Sequence, residues 1–294
     1  MAKNPDTNKD IVKIGLVQMS MSKNTGANLR KALKMIDEAA RKGANIICLP
    51  ELFRSQYFCQ KEDPQNFKLA EKIPGGTTEA LSVYARRNEV AIIAGMFEKR
   101  TRGLYHNSAA VINADGKLLG IYRKMHIPDD PNFYEKFYFA PGDLGFKAYH
   151  TSYGTVGALI CWDQWYPEAA RITSLMGAQM LFYPTAIGWL KGEEDAIDEM
   201  KSAWETIQRS HGIANGVFVA SVNRVGTEGK MGFWGSSFVS GPFGEMIAKA
   251  SPDKEEVLIA KCDLGSIDAT RHGWPFLRDR RIDAYKGITS RFLD

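Results

Sequence analysis

The chain has 294 residues, 44% of them hydrophobic and 24% charged, with a formal net charge of +4. That is long enough for a sizeable core, in one large domain or two small ones, and the composition argues against disorder. The 38 Lys and Arg are dispersed without a basic run, so nucleic-acid binding has little support.

Residues 1–10 are polar and are expected to form a flexible tail, followed by a single domain over residues 11–294. Val12, Ile14 and Leu16 alternate with their neighbours as a strand would. Asn24 to Lys42 reads as a helix, with Leu29, Leu33, Ile36 and Ala40 on one face and Gly43 at its end. Asn45-Ile-Ile-Cys-Leu49 is a short apolar run typical of a strand buried on both faces. The first fifty residues thus predict strand–helix–strand. Thr77 to Asn88 predicts a helix and Val90 to Phe97 a buried strand. Two strands, Asn107 to Asn113 and Lys117 to Tyr122, flank an Asp115-Gly116 turn. Further strands are expected at Thr155 to Ile160, Met180 to Tyr183, Val217 to Val222 and Val257 to Cys262. Helices are expected at Pro167 to Met176, with Pro in the first turn, and at Ala196 to Ala214. Ser236 to Ser240 and Glu245 to Ala248 form a hairpin around Gly241-Pro-Phe-Gly244. Mixed helices and strands throughout predict a layered α/β domain. The segment from Arg271 onward, rich in Arg, Asp and aromatics, is expected to cover another subunit or pack back.

The cysteines are Cys48, Cys59, Cys161 and Cys262. They form no Cys-x-x-Cys pair, and His-Glu-x-x-His is absent, so no metal is expected. They are too few for a disulfide scaffold. Neither a signal-peptide core nor an apolar stretch of bilayer length is present, so no membrane partner is expected. A reducing cytoplasm is the expected location and would keep a thiol free.

Three positions invite chemistry. Glu51 stands just past the strand Ile46 to Leu49, where α/β folds place ligand contacts; an exposed turn carboxylate is the alternative. Cys161 follows the apolar run Gly157-Ala-Leu-Ile160. A helix starting near Pro167 would point its N-terminus back at the thiol, lowering its pKa and holding an oxyanion; a packed core thiol, as expected for Cys48 and Cys262, is the alternative. Lys124 follows a strand and opens a Pro-containing loop. It is either solvated or the positive charge that a cysteine hydrolase needs. The same loop carries Glu135 inside an aromatic cluster, a costly place for an unpaired charge. Spacing alone does not bring these residues together.

Their contexts resemble the nitrilase superfamily of carbon–nitrogen hydrolases. The matching motifs are Leu49-Pro50-Glu51, Tyr122-Arg123-Lys124 and Leu159-Ile160-Cys161-Trp162-Asp163, with Val17-Gln18, Asn223-Arg224 and Gly235-Ser236-Ser237 in support. The resemblance runs from about residue 11 to 285. It implies a four-layer αββα sandwich, dimerising to αββα–αββα or assembling further, and no cofactor. Longer strings are similar to those members of the family that hydrolyse N-carbamoylputrescine in polyamine biosynthesis. These are Lys124-Met-His-Ile-Pro-Asp-Asp-Pro131, Tyr134-Glu-Lys-Phe-Tyr-Phe139, Cys161-Trp-Asp-Gln-Trp-Tyr-Pro-Glu-Ala-Ala-Arg171 and Tyr183-Pro-Thr-Ala-Ile-Gly188. By motif, the resemblance implies Glu51 as general base, Lys124 as oxyanion-stabilising cation, Cys161 as nucleophile and Glu135 as their partner.

The implied partner is a small carbamoylated amine. Its ammonium wants a carboxylate or an aromatic face, for which Asp163, Tyr57, Trp189 and the acidic run Glu193-Glu194-Asp195 are candidates. Trp162, Trp165 and Tyr166 are expected to wall the pocket, and the Trp162 N–H to share the oxyanion. Three rivals stand beside this reading. A carbamoyl amino acid would need an Arg, and none follows the cysteine before Arg171. A papain-like scheme would use His126. A binding module would keep the fold without catalysis.

Overall fold

The computed structural model describes residues 10–294. The expected tail, apart from Asp10, lies outside the described residues. In chain order the first half runs β1 (Ile11–Gln18), α1 (Thr25–Arg41), β2 (Ile46–Cys48), α2 (Gly76–Asn88), β3 (Ala91–Thr101), β4 (Leu104–Ile112) and β5 (Leu118–Arg123). A one-turn helix, α3 (Glu135–Tyr138), leads into β6 (Ala148–Thr151), β7 (Gly154–Ala158), α4 (Pro167–Leu175), β8 (Met180–Pro184) and β9 (Gly188–Leu190). Then come α5 (Ile197–Asn215), β10 (Phe218–Val222), β11 (Val225–Glu228), β12 (Met231–Trp234), β13 (Phe238–Ser240), β14 (Met246–Lys249), β15 (Glu256–Asp263) and α6 (Gly265–Gly273).

Two six-stranded sheets result, in the orders β15-β1-β2-β3-β4-β5 and β14-β13-β10-β8-β7-β6, with a small third sheet β11-β12-β9. The run Ile46 to Leu49 explains the layering. Successive side chains of a strand point to opposite faces. Ile46 and Cys48 join Ile14, Leu16 and Ile93 in the core between the sheets, where Val156, Ala158, Met180 and Val219 meet them from the second sheet. Ile47 and Leu49 face outward onto Ala32, Ile36 and Ala39 of α1 and Leu81 and Ala85 of α2. On the far side, α4 and α5 cover the second sheet through contacts with β8 and β10. This is the four-layer αββα sandwich.

Strand direction places the site. β2 runs parallel to β1 and β3, and β5 regains that direction through two antiparallel pairings with β4. β7, β8 and β10 are likewise mutually parallel. The segments carrying Glu51, Lys124, Cys161, Ala186 and Arg224 therefore all leave carboxyl-terminal strand ends, and side-chain contacts join these ends at one rim.

Several elements differ from the sequence expectation. The strand expected from Asn107 begins at Leu104, where a tight turn joins it to a β3 that runs on to Thr101. The outer end of β3, Lys99 to Thr101, is polar and increasingly exposed, so its apolar pattern ends before the ladder does. β6, β9, β11, β12 and α6 are not apparent from periodicity. β9, β11 and β12 are three or four residues long, too short for an alternating pattern to stand out.

Candidate active site

Glu51 is held by its backbone and by its side chain. Its turn lies against β3, where a Cβ on Gly95 would stand 2.7 Å from the Glu51 Cα, so only glycine lets the strand approach. Arg224, fully buried just after β10, donates from Nη2 to the Glu51 carbonyl at 2.6 Å. Glu228 pairs with Arg224 at 3.1 Å and accepts the Tyr57 N–H at 2.5 Å. The Glu51 carboxylate is fully buried. Its Oε1 accepts from Lys124 Nζ at 2.9 Å and from Asn107 Nδ2 at 2.7 Å. Its Oε2 is buried with no partner among the described residues.

Lys124 leaves β5 with its N–H on the Asn107 carbonyl and its own carbonyl accepting from Gly142 N, both at 2.8 Å. A Cβ on Gly142 would stand 2.1 Å from the Arg123 carbonyl oxygen, so this close crossing also needs glycine. Lys124 Nζ donates to Glu135 Oε2 at 2.7 Å, and Tyr57 OH donates to Glu135 Oε1 at 2.8 Å. One ammonium thus serves two buried carboxylates.

Cys161 stands just after β7 and opens the 3-10 turn Cys161–Trp165. Its φ is +42°, a left-handed conformation that a residue with a Cβ occupies at a cost of about 1–3 kcal/mol. Cys161 is 7% exposed, and its thiol donates to the Ala186 carbonyl at 3.9 Å. The expected lowering of its pKa is not found. Burial raises the thiol's pKa well above its ordinary value; the Glu51 charge raises it further, and Lys124 opposes both. A one-turn 3-10 segment, rather than α4 itself, meets the sulfur, so the helix dipole is weak there. Burial also raises Glu135, against the pull of Lys124 and with the push of Glu51. Lys124 stays charged: burial would lower its pKa, but Glu135 and Glu51 hold it well above the ordinary value.

Glu135 and Cys161 reach a cavity of about 300 Å³, while Lys124 and Glu51 are fully buried and do not line it. Trp162, Trp165, Phe133, Ile187, Leu190 and Met200 line its walls. Tyr57, Glu135 and Cys161 reach it from below, and Asp130 and Glu193 bring two exposed carboxylates to it.

Of the candidate substrate contacts, Trp162 and Tyr57 line the cavity. Asp163 does not: it is fully buried, and both its oxygens are taken by protein donors. Trp189 does not either; its ring packs against Gly232, in a cluster with Trp204, Trp234 and Phe238. In the acidic run only Glu193 lines the cavity, while Glu194 accepts the Gly192 N–H at 2.9 Å. Tyr166 is not a wall but stacks on His126, with ring centroids 3.7 Å apart. His126 Nδ1 is bound to Asp163 at 2.7 Å, and the recorded partner of the Cys161 thiol is a backbone carbonyl. Arg171 lies in a separate groove between α4 and α5.

Sequence reasoning missed Asn107, Arg224, Glu228 and Asp130 as parts of this region. A signal existed for Asn107, a polar residue opening the apolar run that continues to Ile112; its side chain is fully buried. Arg224 stood in a matched motif without a role.

Residues 13–272 match the family model described as carbon-nitrogen hydrolase. The chain is 44% identical over 284 residues to an N-carbamoylputrescine amidase from Oryza sativa subsp. japonica, covering 94% of this chain and 93% of that protein. It is 39% identical over 287 residues to a citrullinase from Francisella tularensis subsp. tularensis, covering 96% and 99%. A crystal structure of a carbon-nitrogen hydrolase from Helicobacter pylori G27 superposes with a TM-score of 0.93 at 46% identity, covering 96% of this chain and 100% of that one. With the fold, the strand-end cluster and these likenesses in agreement, the chain belongs to the carbon-nitrogen hydrolase family.

Proposed function

We propose that the protein hydrolyses N-carbamoylputrescine to putrescine, carbon dioxide and ammonia, with residues 11–294 acting as one catalytic unit. The observation that carries the choice of substrate is the charge of the cavity. Glu135 and Cys161 reach it, with Lys124 buried in hydrogen-bonded contact with Glu135 and Glu51, and its lining adds Asp130 and Glu193 but no Lys, Arg or His among the described residues. A ureido group fits the floor, and an ammonium at the far end of an apolar chain meets carboxylates. The two relatives' names share a carbamoyl group but differ at the other end of the molecule. The carboxylate of a ureido amino acid would face Asp130 and Glu193 without a cation to receive it.

Two nitrogens donate into a ureido carbon, so attack needs both a base and oxyanion stabilisation. With a thiol pKa raised by burial, Cys161 rests as S–H and loses its proton as it attacks. Glu51 Oε2, the oxygen with no recorded partner, takes that proton. The developing oxyanion is held by Lys124 Nζ and the Trp162 N–H; the first N–H groups of a helical turn have no acceptor within it. Glu51 returns the proton to the departing nitrogen, and ammonia leaves. A carbamoyl group stays on sulfur. Water, deprotonated by Glu51, attacks it, and the thiol is regenerated as the carbamate departs and decomposes to carbon dioxide and the amine. Glu135, itself held by Tyr57, keeps Lys124 in place.

The test is ammonia release from N-carbamoylputrescine and from citrulline by the wild type and by Cys161→Ala. The diamine derivative should turn over faster by about tenfold or more, given that a lost charge-assisted hydrogen bond weakens binding by roughly 1.5–3 kcal/mol. Cys161→Ala should fall to background. Faster turnover of citrulline overturns the substrate, and activity in Cys161→Ala overturns the mechanism.

The proposed assembly is a homodimer on the α4–α5 face, supported by the exposed apolar side chains Ile172, Leu175, Met176 and Ile213. A cytoplasmic location is supported by the four cysteines, all buried and free. No helix among the described residues is long and apolar enough to cross a membrane.

A further inference from the structure

We propose that Asp163 is a positioning residue, a buried carboxylate that ties the two sheets together and keeps Cys161 in register with Lys124. The inference rests on the roles of Cys161 and Lys124 proposed above. Those two residues leave different sheets, and the sheets meet through apolar contacts. Such contacts are non-directional and do not by themselves set the relation of two reacting groups to a fraction of an ångström. Directed bonds do.

Asp163 supplies them on both sides. On the nucleophile side its Oδ2 accepts the Ile160 N–H at 2.9 Å, and its own N–H donates to the Ile160 carbonyl at 3.0 Å. These two bonds bracket Cys161 and hold it at its φ of +42°. On the lysine side Oδ2 also accepts the Tyr122 hydroxyl at 2.8 Å, and Oδ1 accepts His126 N at 3.1 Å and His126 Nδ1 at 2.7 Å. Tyr122 and His126 flank Lys124, and Tyr122 OH further accepts the Met125 N–H at 3.3 Å. The stack of His126 on Tyr166, just past the Cys161 turn, repeats the connection. A carboxylate suits this place because it accepts on both oxygens and donates on neither. All four side-chain bonds are charge-assisted, and a group fully removed from solvent keeps them.

The test is Asp163→Asn, which keeps the shape but turns one acceptor into a donor facing donors. Steady-state turnover of N-carbamoylputrescine is measured per Cys161 titratable by iodoacetamide, with Cys161→Ala as background, alongside thermal unfolding. A misplacement of about 1 Å costs on the order of 10²-fold, so kcat per titrated Cys161 should fall by about that factor with KM nearly unchanged. Tyr122→Phe and His126→Phe each remove one donor and keep the ring, and should lower kcat by about tenfold in the same pattern. These two variants carry the test if Asp163→Asn does not fold. A normal kcat per titrated thiol in the folded variants, with losses confined to stability or to the fraction titrated, overturns the proposal. If Cys161→Ala remains active, the underlying mechanism fails and takes the proposal with it. If Cys161→Ala is inactive and the three variants are normal, only the positioning role fails.

Discussion

Arg123 and Lys124 are neighbours in sequence, both nearly or fully buried, and both paired with carboxylates, yet they stand in opposite electrostatic situations. Arg123 meets Glu98 through Nε and Nη2 at 2.8 and 2.6 Å, with Ser108 donating to the same carboxylate. Its Nη1 reaches Asp143 at 2.7 Å. Burial would raise Glu98, but the bonds from Arg123 and Ser108 outweigh it and hold its carboxyl below the usual range. Asp143 is drawn down to about 2, first by Arg123 and then by Arg100. Each of the three guanidinium nitrogens has its acceptor. Lys124 instead divides one point charge between Glu51 and Glu135, and one Glu51 oxygen is left without a recorded partner. Burial and the neighbouring carboxylate raise Glu135 rather than lower it. The forked guanidinium builds a closed structural pair. The ammonium leaves one carboxylate's worth of charge unmatched beside a thiol, and an unmatched carboxylate is what a general base requires.

The largest expected effect separates these two residues. Lys124→Met should lose at least about 10²–10³ in the kcat of the folded protein, the usual consequence of losing an oxyanion donor. Arg123→Met should leave Glu98 buried and unpaired at a cost of about 3–5 kcal/mol, read by urea unfolding, with kcat of the folded protein nearly unchanged. If Arg123→Met loses as much kcat in the folded protein as Lys124→Met, the contrast breaks.

The next effect sharpens it through pH. Because Glu135 is raised, it takes up a proton above the ordinary glutamate range as pH falls, and Lys124 then loses a charged partner. The acid limb of kcat/KM should therefore lie above pH 4.5, the ordinary glutamate value. Glu135→Gln removes the titrating group, so this limb should be lost from that range in a kcat/KM profile. A limb that stays in place assigns it to another group.

The smallest effect belongs to the Arg123 side. The folded pKa of Asp143, about 2, lies below its ordinary 3.8. It therefore contributes stability above pH 3.8 that is lost as pH falls toward 2. Asp143→Asn should be slightly less stable near neutrality and lose less over that interval in acid unfolding curves. The side chain is 44% exposed, so solvent screening keeps the difference small.

Much of this was legible beforehand. The run Ile46 to Leu49 announced a strand covered on both faces, and the two cores divide its residues accordingly. Glu51, Lys124 and Cys161 each stand at a strand end, where expected. Trp189 and Asp163 carried the right chemistry for an ammonium but face away from the cavity. The thiol's environment was also misread, because a strand-end cysteine near a helix start says nothing about how deeply its sulfur is buried.

The sequence by itself determined most of the longer elements and the residue types at their ends, because alternation, turn residues and caps act over a few neighbours along the chain. Only the tertiary structure decided which of those ends meet. The bond from Lys124 to Glu51 spans 73 residues, and that from Arg224 to the Glu51 carbonyl spans 173. Such contacts depend on how two sheets pack, and so do the burial that raises the Cys161 thiol and the four bonds that occupy Asp163. Charge, solvent exclusion and hydrogen-bond satisfaction are properties of a three-dimensional neighbourhood, which local sequence does not encode.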